Sequence, residues 1–258
     1  MNLPRKKPGE ELAALLFAVQ MLTRVPIPAS LAFSEERQKN AIGYYAFAGA
    51  GVGLFAAAVW WGALLVFPAS IAVLLSMLAG LLLTGAFHED GLADTMDGLG
   101  GRDAAASLSI MRDSRIGAYG AVALISALGV KAAALLALPG ELLPMSLLAA
   151  HCGSRFSAVC VVATSSYAGS EPDSKPTARG IDSAGMIRSV LTVAAVFALT
   201  LTAIPASALI AGIAGLLLGH GASRLLYERK LRGYTGDCLG ATQQFSELGF
   251  YLGLLAAL

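Results

Sequence analysis

An acidic cluster follows a long stretch, residues 40–87, that contains no Asp, Glu, Lys or Arg. The next ten residues hold five ionisable side chains: His88, Glu89, Asp90, Asp94 and Asp97. On a helix, Asp90, Asp94 and Asp97 are spaced i, i+4 and i+7, so their carboxylates share one face. Unpaired carboxylates this close repel each other, and their oxygens favour Mg²⁺ or Mn²⁺ over softer metals. The spacing therefore predicts a metal site that holds a phosphate through the ion.

Two further segments carry candidate phosphate ligands. Arg112 and Arg115 flank Asp113 in a charged loop, where the arginines either meet anionic oxygens or only set the membrane topology. The glycine-rich turn 233–241 opens the last apolar segment, and Asp237 lies within it. Backbone N–H groups at a helix start attract anions, although a Gly-Asp turn is also a common helix entry.

Several polar residues interrupt the apolar segments. Lys131 and Arg155 lie within predicted spans, where ionisable residues are costly and are functional candidates. Lys131 could instead extend along its helix to the membrane surface, and Arg155 could form a structural pair with Glu247. Gln243 and Glu247 lie one turn apart in the last apolar segment, so we expect both to face the bundle interior.

Composition indicates the class of fold that positions these groups. The chain of 258 residues is 56% hydrophobic and 14% charged, with a mean hydropathy of +0.69, which is too apolar for an ordinary soluble domain. We predict an all-α, polytopic integral membrane bundle with about seven transmembrane helices in one catalytic domain, 1–258. The predicted spans are 42–67, 69–87, 116–138, 142–165, 189–204, 206–222 and 239–258. The two around Pro205 form a tight hairpin or, alternatively, one long kinked helix.

The distribution of basic residues predicts the orientation in the membrane. All Lys and Arg residues other than Lys131 and Arg155 lie before residue 40 or in the segments 88–115, 166–188 and 223–238. By the positive-inside bias, these segments are cytosolic in a bacterial inner-membrane protein. The apolar run 12–22 is too short to cross, so we expect the segment 12–28 to form an interfacial or re-entrant helix.

Four strings along the chain resemble the signatures of the cobalamin synthase family, whose members are also called adenosylcobinamide-GDP ribazoletransferases. They are residues 17–28 (FAVQMLTRVPIP), 87–98 (FHEDGLADTMDG), 110–117 (IMRDSRIG) and 235–241 (TGDCLGA). The resemblance spans nearly the whole chain. Lys131 and Ser154-Arg155 also fall where members of this family carry such residues, whereas Glu89 falls at a position that varies.

The resemblance implies a Mg²⁺-dependent, membrane-integral enzyme of the last steps of vitamin B12 assembly. It would join adenosylcobinamide-GDP to α-ribazole or its 5′-phosphate, giving adenosylcobalamin or its phosphate and GMP. A ribose hydroxyl attacks the cobinamide-linked phosphorus, and metal ions bridging the diphosphate would absorb the charge on the leaving GMP. These substrates and the lipid bilayer are the expected partners. Nucleic acid is not an expected partner, because the chain has no basic stripe. A homo-oligomer is compatible with such a bundle.

The same resemblance suggests a role for each candidate residue. The expected ligands of one or two Mg²⁺ or Mn²⁺ ions are Asp90, Asp94, Asp97 and Asp237. The expected substrate-binding residues are Arg112, Arg115, Lys131, Arg155, Thr235 and Gly236, since guanidinium groups match phosphate oxygens in a bidentate way. His88 has the unperturbed pKa that suits a general base, and Asp113 or a ligand carboxylate is the alternative.

Two other functions fit parts of the sequence. A CDP-alcohol phosphatidyltransferase also places clustered aspartates at the cytosolic ends of membrane helices, but Asp90-Gly91 here lacks the Ala-Arg pair of that family's pattern. A cation-coupled transporter would account for ionisable residues within spans, such as Lys131 and Glu247. The densest charges lie at one membrane face, however, and the two halves of the chain do not repeat.

Overall fold

The computed structural model describes residues 8–27, 35–169 and 180–258, and these fold into eleven α-helices. Arg5, Lys6, Lys7, Pro28 and part of the predicted charged segment 166–188 lie outside the described residues. The helices are α1 (Pro8–Leu22), α2 (Glu35–Ile42), α3 (Tyr45–Leu64), α4 (Ala69–Thr84), α5 (Phe87–Gly98), α6 (Ala104–Met111), α7 (Ala118–Ala137), α8 (Leu143–Thr164), α9 (Ser183–Thr200), α10 (Ala206–Leu231) and α11 (Gly236–Leu255). A 3₁₀ turn, Gly140–Leu142, precedes α8. The all-α prediction is confirmed.

Five helices are long and apolar enough to cross a membrane on their own: α3, α7, α8 with its preceding turn, α9 and α10. Helices α4 and α5 reach the required length only together, as a broken span or re-entrant segment bent by 84°. The described part of the chain therefore has five or six crossings by length and composition. Every predicted span corresponds to a helix, and the predicted number of seven is approximate.

Helix α11 accounts for one of the missing spans, and α4, which is too short on its own, accounts for the other. The sequence predicted a span at 239–258, but α11, although 20 residues long, is less apolar than the five spans, because it carries Asp237, Gln243, Gln244 and Glu247. Those glutamines and Glu247 are buried, and α11 packs against α10, α5, α8 and α7. It is a central helix shielded by its neighbours, and its polar side chains make the segment less apolar than a lipid-facing span.

Two left-handed residues make the bend between α4 and α5. Gly85 has φ 66° and ends α4, and Ala86 has φ 54° and precedes α5. A left-handed conformation is ordinary for glycine and costs about 1 kcal/mol or more for alanine, so the bend is held by its surroundings. The backbone N–H of Arg24 donates to the Leu83 carbonyl across 2.7 Å, which joins the end of α1 to the end of α4.

The structure confirms the prediction for the region around Pro205 only in part. Separate helices α9 and α10 are joined by residues 201–205, so the prediction of two helices is confirmed. They do not form the predicted tight hairpin: α9 packs mainly against α8 and α3, while α10 packs mainly against α11.

Helix α1 is one 15-residue helix and is too short to cross a membrane, as expected for an interfacial or re-entrant segment.

Small residues bring α10 and α11 into close contact. A Cβ placed on Gly215 would clash with the Gly249 carbonyl oxygen, and a Cβ on Gly249 would clash with that of Gly215. A Cβ on Gly219 or Gly253 would likewise clash with a backbone carbonyl oxygen of the facing helix. In lipid, helices associate through this kind of packing because apolar surface alone gives no preference for protein over lipid. The glycines therefore fix the position of α11.

We expect Gly215→Ala to destabilise the fold by about 1–3 kcal/mol, because the added methyl group must push two backbones apart. Gly221→Ala, in the same helix α10, is the matched control, since a Cβ there meets nothing within 4 Å. Thermal unfolding of both variants in detergent measures the difference. Equal melting temperatures for the two variants would show that the close crossing of α10 and α11 is not required.

Candidate functional site

The acidic helix α5 crosses the start of α11 at a pair of glycines. A Cβ on Gly91 would lie 2.7 Å from the Asp237 carbonyl oxygen and 3.2 Å from the Gly240 Cα, and a Cβ on Gly240 would lie 2.9 Å from the His88 carbonyl oxygen. Neither position has room for a side chain. Because these two positions are glycines, Asp90 of α5 and Asp237 of α11 can approach one another, although they are far apart in sequence.

A cavity of about 310 Å³ lies next to this crossing. Four of its lining residues are ionisable: His88 and Asp90 from α5, Arg155 from α8 and Asp237 from α11. Gly236 lines the same cavity, so five of the predicted site residues share it. Apolar atoms supply most of the remaining surface. The structure thus places carboxylates, a guanidinium and an imidazole around one space of small-molecule size.

Two of these groups have unsatisfied polar atoms. His88 is 4% exposed and Arg155 is 3% exposed. His88 Nδ1 and Arg155 Nε are buried and have no hydrogen-bond partner within the described part of the chain. A buried polar atom without a partner is costly, and such atoms are commonly explained by function or by a bound group. Both residues line the cavity, so each brings a buried, unsatisfied polar atom to its wall.

The Arg155 guanidinium also belongs to a buried charged network centred on Glu247. Arg155 NH1 lies 3.3 Å from Glu247 Oε2, and Lys131 Nζ lies 3.0 Å from Glu247 Oε1. Arg155 NH1 also donates to His151 Nδ1 across 2.8 Å. Glu247 is 1% exposed. The structural pair predicted for Arg155 and Glu247 is present, and Lys131 points into the bundle rather than extending along its helix to the membrane surface.

Amide side chains extend the network to α5. Gln244 Nε2 donates to Glu89 Oε1 across 2.7 Å, and Lys131 Nζ donates to Gln244 Oε1 across 2.9 Å. Gln243 Nε2 donates to Ser154 Oγ across 2.9 Å. Two buried carboxylates, two buried cations and their amide partners thus connect α5, α7, α8 and α11. The sequence identified most of these residues one at a time, but it gave no indication that Gln244 joins Lys131 to Glu89.

Asp97 has a different environment from the other aspartates. Its Oδ2 accepts from the Gly117 N–H across 2.7 Å and its Oδ1 accepts from the Gly120 N–H across 2.8 Å. These N–H groups belong to the start of α7, where the helix dipole also favours a negative charge. Thr235 has a comparable role as the N-cap of α11, since its side chain accepts from the Cys238 N–H. Both side chains therefore fix helix starts, and the start of α11 lies beside the cavity.

The predicted loop arginines lie outside the cavity. Arg115 and Asp113 form an ion pair, with Arg115 NH2 2.6 Å from Asp113 Oδ2, and the arginine side chain is 87% exposed. Hydrogen bonds from Arg115 lower the pKa of Asp113 to about 2. Arg112 is exposed at the end of α6. Asp113 lies with Arg115 outside the cavity, whereas His88 lines it, so the geometry favours His88 over Asp113 for proton transfer.

The structure does not gather the predicted metal ligands into one protein-only cluster. Among the described residues, no three His, Cys, Asp or Glu side chains are close enough to hold an ion together. Asp90 is exposed at the cavity, Asp94 is half-buried one turn further along α5, and Asp237 is half-buried on α11. Mg²⁺ usually binds one or two carboxylates, substrate phosphates and water. The carboxylates at the cavity fit an ion that arrives with a phosphate.

Sequence reasoning missed the part of the lining that comes from α1 and α3. Gln20, Met21 and Leu22 of α1 line the cavity together with Tyr45 of α3. The α1 residues fall within the string 17–28, which pointed to the family without indicating a role. No spacing rule relates them to α5 or α11, because the contact depends on how α1 packs against α3.

These features define the class of protein: an integral membrane helical bundle with a cavity lined by charged residues at a crossing of internal helices. The cobalamin-5-phosphate synthase family model matches residues 14–255, and the chain belongs to that family.

Relatives named adenosylcobinamide-GDP ribazoletransferase match nearly the full length. Those of Leptothrix cholodnii and Ralstonia pickettii are each 41% identical, over 95% and 96% of this chain and 96% of each relative. That of Shewanella amazonensis is 40% identical over 95% of both chains. No solved structure matches the chain.

Removing the Glu247 carboxylate should leave the charges of Lys131 and Arg155 buried without compensation. We expect Glu247→Ala to destabilise the protein by about 3–5 kcal/mol, as for other broken buried ion pairs. A double-mutant cycle with Arg155→Met in detergent should show a coupling free energy of about 1 kcal/mol or more between the two residues. If the two substitutions lowered the free energy of unfolding additively, Glu247 and Arg155 would not interact directly. Asp103→Asn, at the exposed start of α6, is the control for a carboxylate outside the network, because asparagine still caps the helix.

The pKa of Asp113 gives a prediction for the pH dependence of activity. Because this pKa is depressed, the carboxylate remains ionised as pH falls until it approaches about 2, and the pair with Arg115 persists over the working range. Asp113→Asn should therefore leave the midpoint of any rate transition between about pH 5 and 8 in place. His88→Gln should lower turnover roughly 10²–10⁴-fold, because it removes the proposed proton acceptor. The opposite pattern would assign the proton transfer to Asp113.

Proposed function

We propose that this chain transfers the cobinamide-phosphate group of adenosylcobinamide-GDP to α-ribazole or its 5′-phosphate. The observation that carries the proposal is the shared cavity, where His88, Asp90, Arg155 and Asp237 meet in a chain of this family. In the reaction, the ribose hydroxyl oxygen forms a bond to the cobinamide-linked phosphorus and the bond from that phosphorus to GMP breaks. The products are adenosylcobalamin, or its 5′-phosphate, and GMP.

The residues around the cavity can serve this reaction in distinct ways. His88 is the proposed acceptor of the hydroxyl proton, since Nδ1 is buried beside the cavity and has no partner within the described residues. Arg155 is the proposed phosphate ligand: NH1 is held by Glu247 and His151, and Nε is unsatisfied. A guanidinium that is already fixed loses little entropy when it binds an anion.

We also propose that Mg²⁺ accompanies the diphosphate at this site. Asp90 and Asp237 line the cavity and Asp94 follows Asp90 by one turn, so these three carboxylates are the proposed ligands. Asp97 is bound to two N–H groups of α7, and we propose that it positions that helix instead. The ion would neutralise charge that develops on the leaving GMP. Mn²⁺ fits the same oxygen ligands.

The proposed location is the bacterial inner membrane, with the cavity open to the cytosol. Arg102, Arg112 and Arg115 follow α5, and Arg229, Lys230 and Arg232 precede α11. These basic residues flank the two helices that carry the acidic groups of the site. By the positive-inside bias, both helices present those groups to the cytosolic face.

Formation of GMP by purified protein tests the proposal. Protein in detergent, given adenosylcobinamide-GDP, α-ribazole and Mg²⁺, should release GMP, and a chelator should stop the reaction reversibly. Asp90→Asn and Asp237→Asn should each lower the rate at least tenfold and raise the Mg²⁺ concentration needed. Asp103→Asn is the matched control, because an asparagine still caps α6.

Other outcomes would identify the alternative functions. Release of CMP from CDP-diacylglycerol, with no GMP from adenosylcobinamide-GDP, would indicate a phosphatidyltransferase. Accumulation of substrate in sealed vesicles without GMP release would indicate a transporter. If GMP is released at a rate that does not respond to Mg²⁺ removal or to either aspartate substitution, the proposed transferase activity would stand and the proposed metal site would be wrong.

A further inference from the structure

The cavity beside α5 and α11 has an apolar wall that the proposed phosphate chemistry does not use. Its apolar lining side chains come from four helices: Met21 and Leu22 of α1, Phe87 of α5, Ala158 of α8 and Leu239 of α11. Leu22 and Ala158 are buried, at 4% and 7% exposure. A phosphate group needs no apolar wall, so this surface indicates that part of the ligand is itself apolar.

The size of the cavity restricts what can enter it. A volume of about 310 Å³ lies at the lower end of small-molecule pockets, which span roughly 300–1,000 Å³. That space suits one nucleoside-sized group. A corrin ring with its side chains is far larger, so the cobinamide part of the donor must remain outside the cavity while its phosphate reaches the charged residues.

Two nucleoside-sized groups take part in the proposed reaction, and the lining distinguishes them. Guanine carries hydrogen-bond donors and acceptors along its edges, and each costs free energy when it is buried without a partner. Besides its four ionisable groups, to which proton transfer, phosphate binding and metal binding are assigned in the proposed function, the described lining has only two polar side chains, Gln20 and Tyr45. The base of α-ribazole is a flat dimethylbenzimidazole with two methyl groups. It needs apolar and aromatic neighbours, and Tyr45 and Phe87 supply aromatic rings.

We propose that this cavity is the acceptor subsite, which binds the dimethylbenzimidazole base of α-ribazole between α1, α3, α5 and α8. The inference rests on the proposed function and adds which of the two substrates occupies the cavity. It also gives α1 a role, because Gln20, Met21 and Leu22 close one side of the acceptor subsite. The guanosine of the donor then lies outside it.

Separate Michaelis constants for the two substrates test this assignment. Ala158→Leu should fill part of the cavity and raise KM for α-ribazole at least tenfold, while KM for adenosylcobinamide-GDP changes less than about twofold. The control is Ala163→Leu in the same helix α8, where the side chain is exposed. A rise confined to the KM for adenosylcobinamide-GDP, equal rises in both constants, or no rise in either would overturn the acceptor subsite.

A second measurement uses the unaltered protein and does not depend on the folding of a variant. The benzimidazole riboside without its two methyl groups should show a KM roughly tenfold higher than α-ribazole, since each buried methyl contributes about 0.8 kcal/mol. An equal KM for both ribosides would overturn the inference while GMP release continued. Absence of GMP from the unaltered protein with α-ribazole would instead contradict the proposed function itself.

Discussion

The neutralisation of Glu247 inside the bundle is the interaction on which the arrangement of the site depends. A carboxylate at 1% exposure in a membrane bundle is strongly disfavoured unless cations and hydrogen bonds compensate it. Lys131 and Arg155 supply the cations from α7 and α8, and Gln244 extends the network to Glu89 of α5. The requirement to satisfy one buried charge therefore fixes four helices relative to one another.

This constraint reaches the cavity through Arg155. One side of its guanidinium is bound to Glu247 and His151, and Nε remains unsatisfied in a residue that lines the cavity. Helix α11 also connects the Glu247 network to the cavity, because it carries Glu247 in its middle and the cavity residue Asp237 at its start. Its position is set by close glycine contacts with α10 and with α5. Stability and the proposed chemistry thus depend on the same helix, so a substitution at Glu247 should affect both.

The sequence predicted the long apolar helices well, because hydropathy is a local property. It predicted no span over α5, but the spacing of its aspartates fitted one face of a helix, and α5 carries them in that way. It predicted α11 as an ordinary span, since periodicity cannot show that neighbouring helices shield its polar residues from lipid. The bend at Gly85-Ala86 was also not foreseen, although it turns α5 away from the direction of α4. Asp97 shared the predicted metal face, but its N–H partners lie at Gly117 and Gly120, and pairing over that distance follows only from the fold.

The central claim is that the acceptor and the phosphate chemistry meet in the cavity formed by α1, α3, α5, α8 and α11. Photo-crosslinking with a riboside that carries a photoreactive group on its base, followed by peptide mapping, tests it most directly. The account predicts labelling of peptides that contain Met21, Tyr45, Ala158 or Leu239, with competition by unlabelled α-ribazole. Labelling confined to the exposed loop 110–117, and equally competed by α-ribazole, would contradict it.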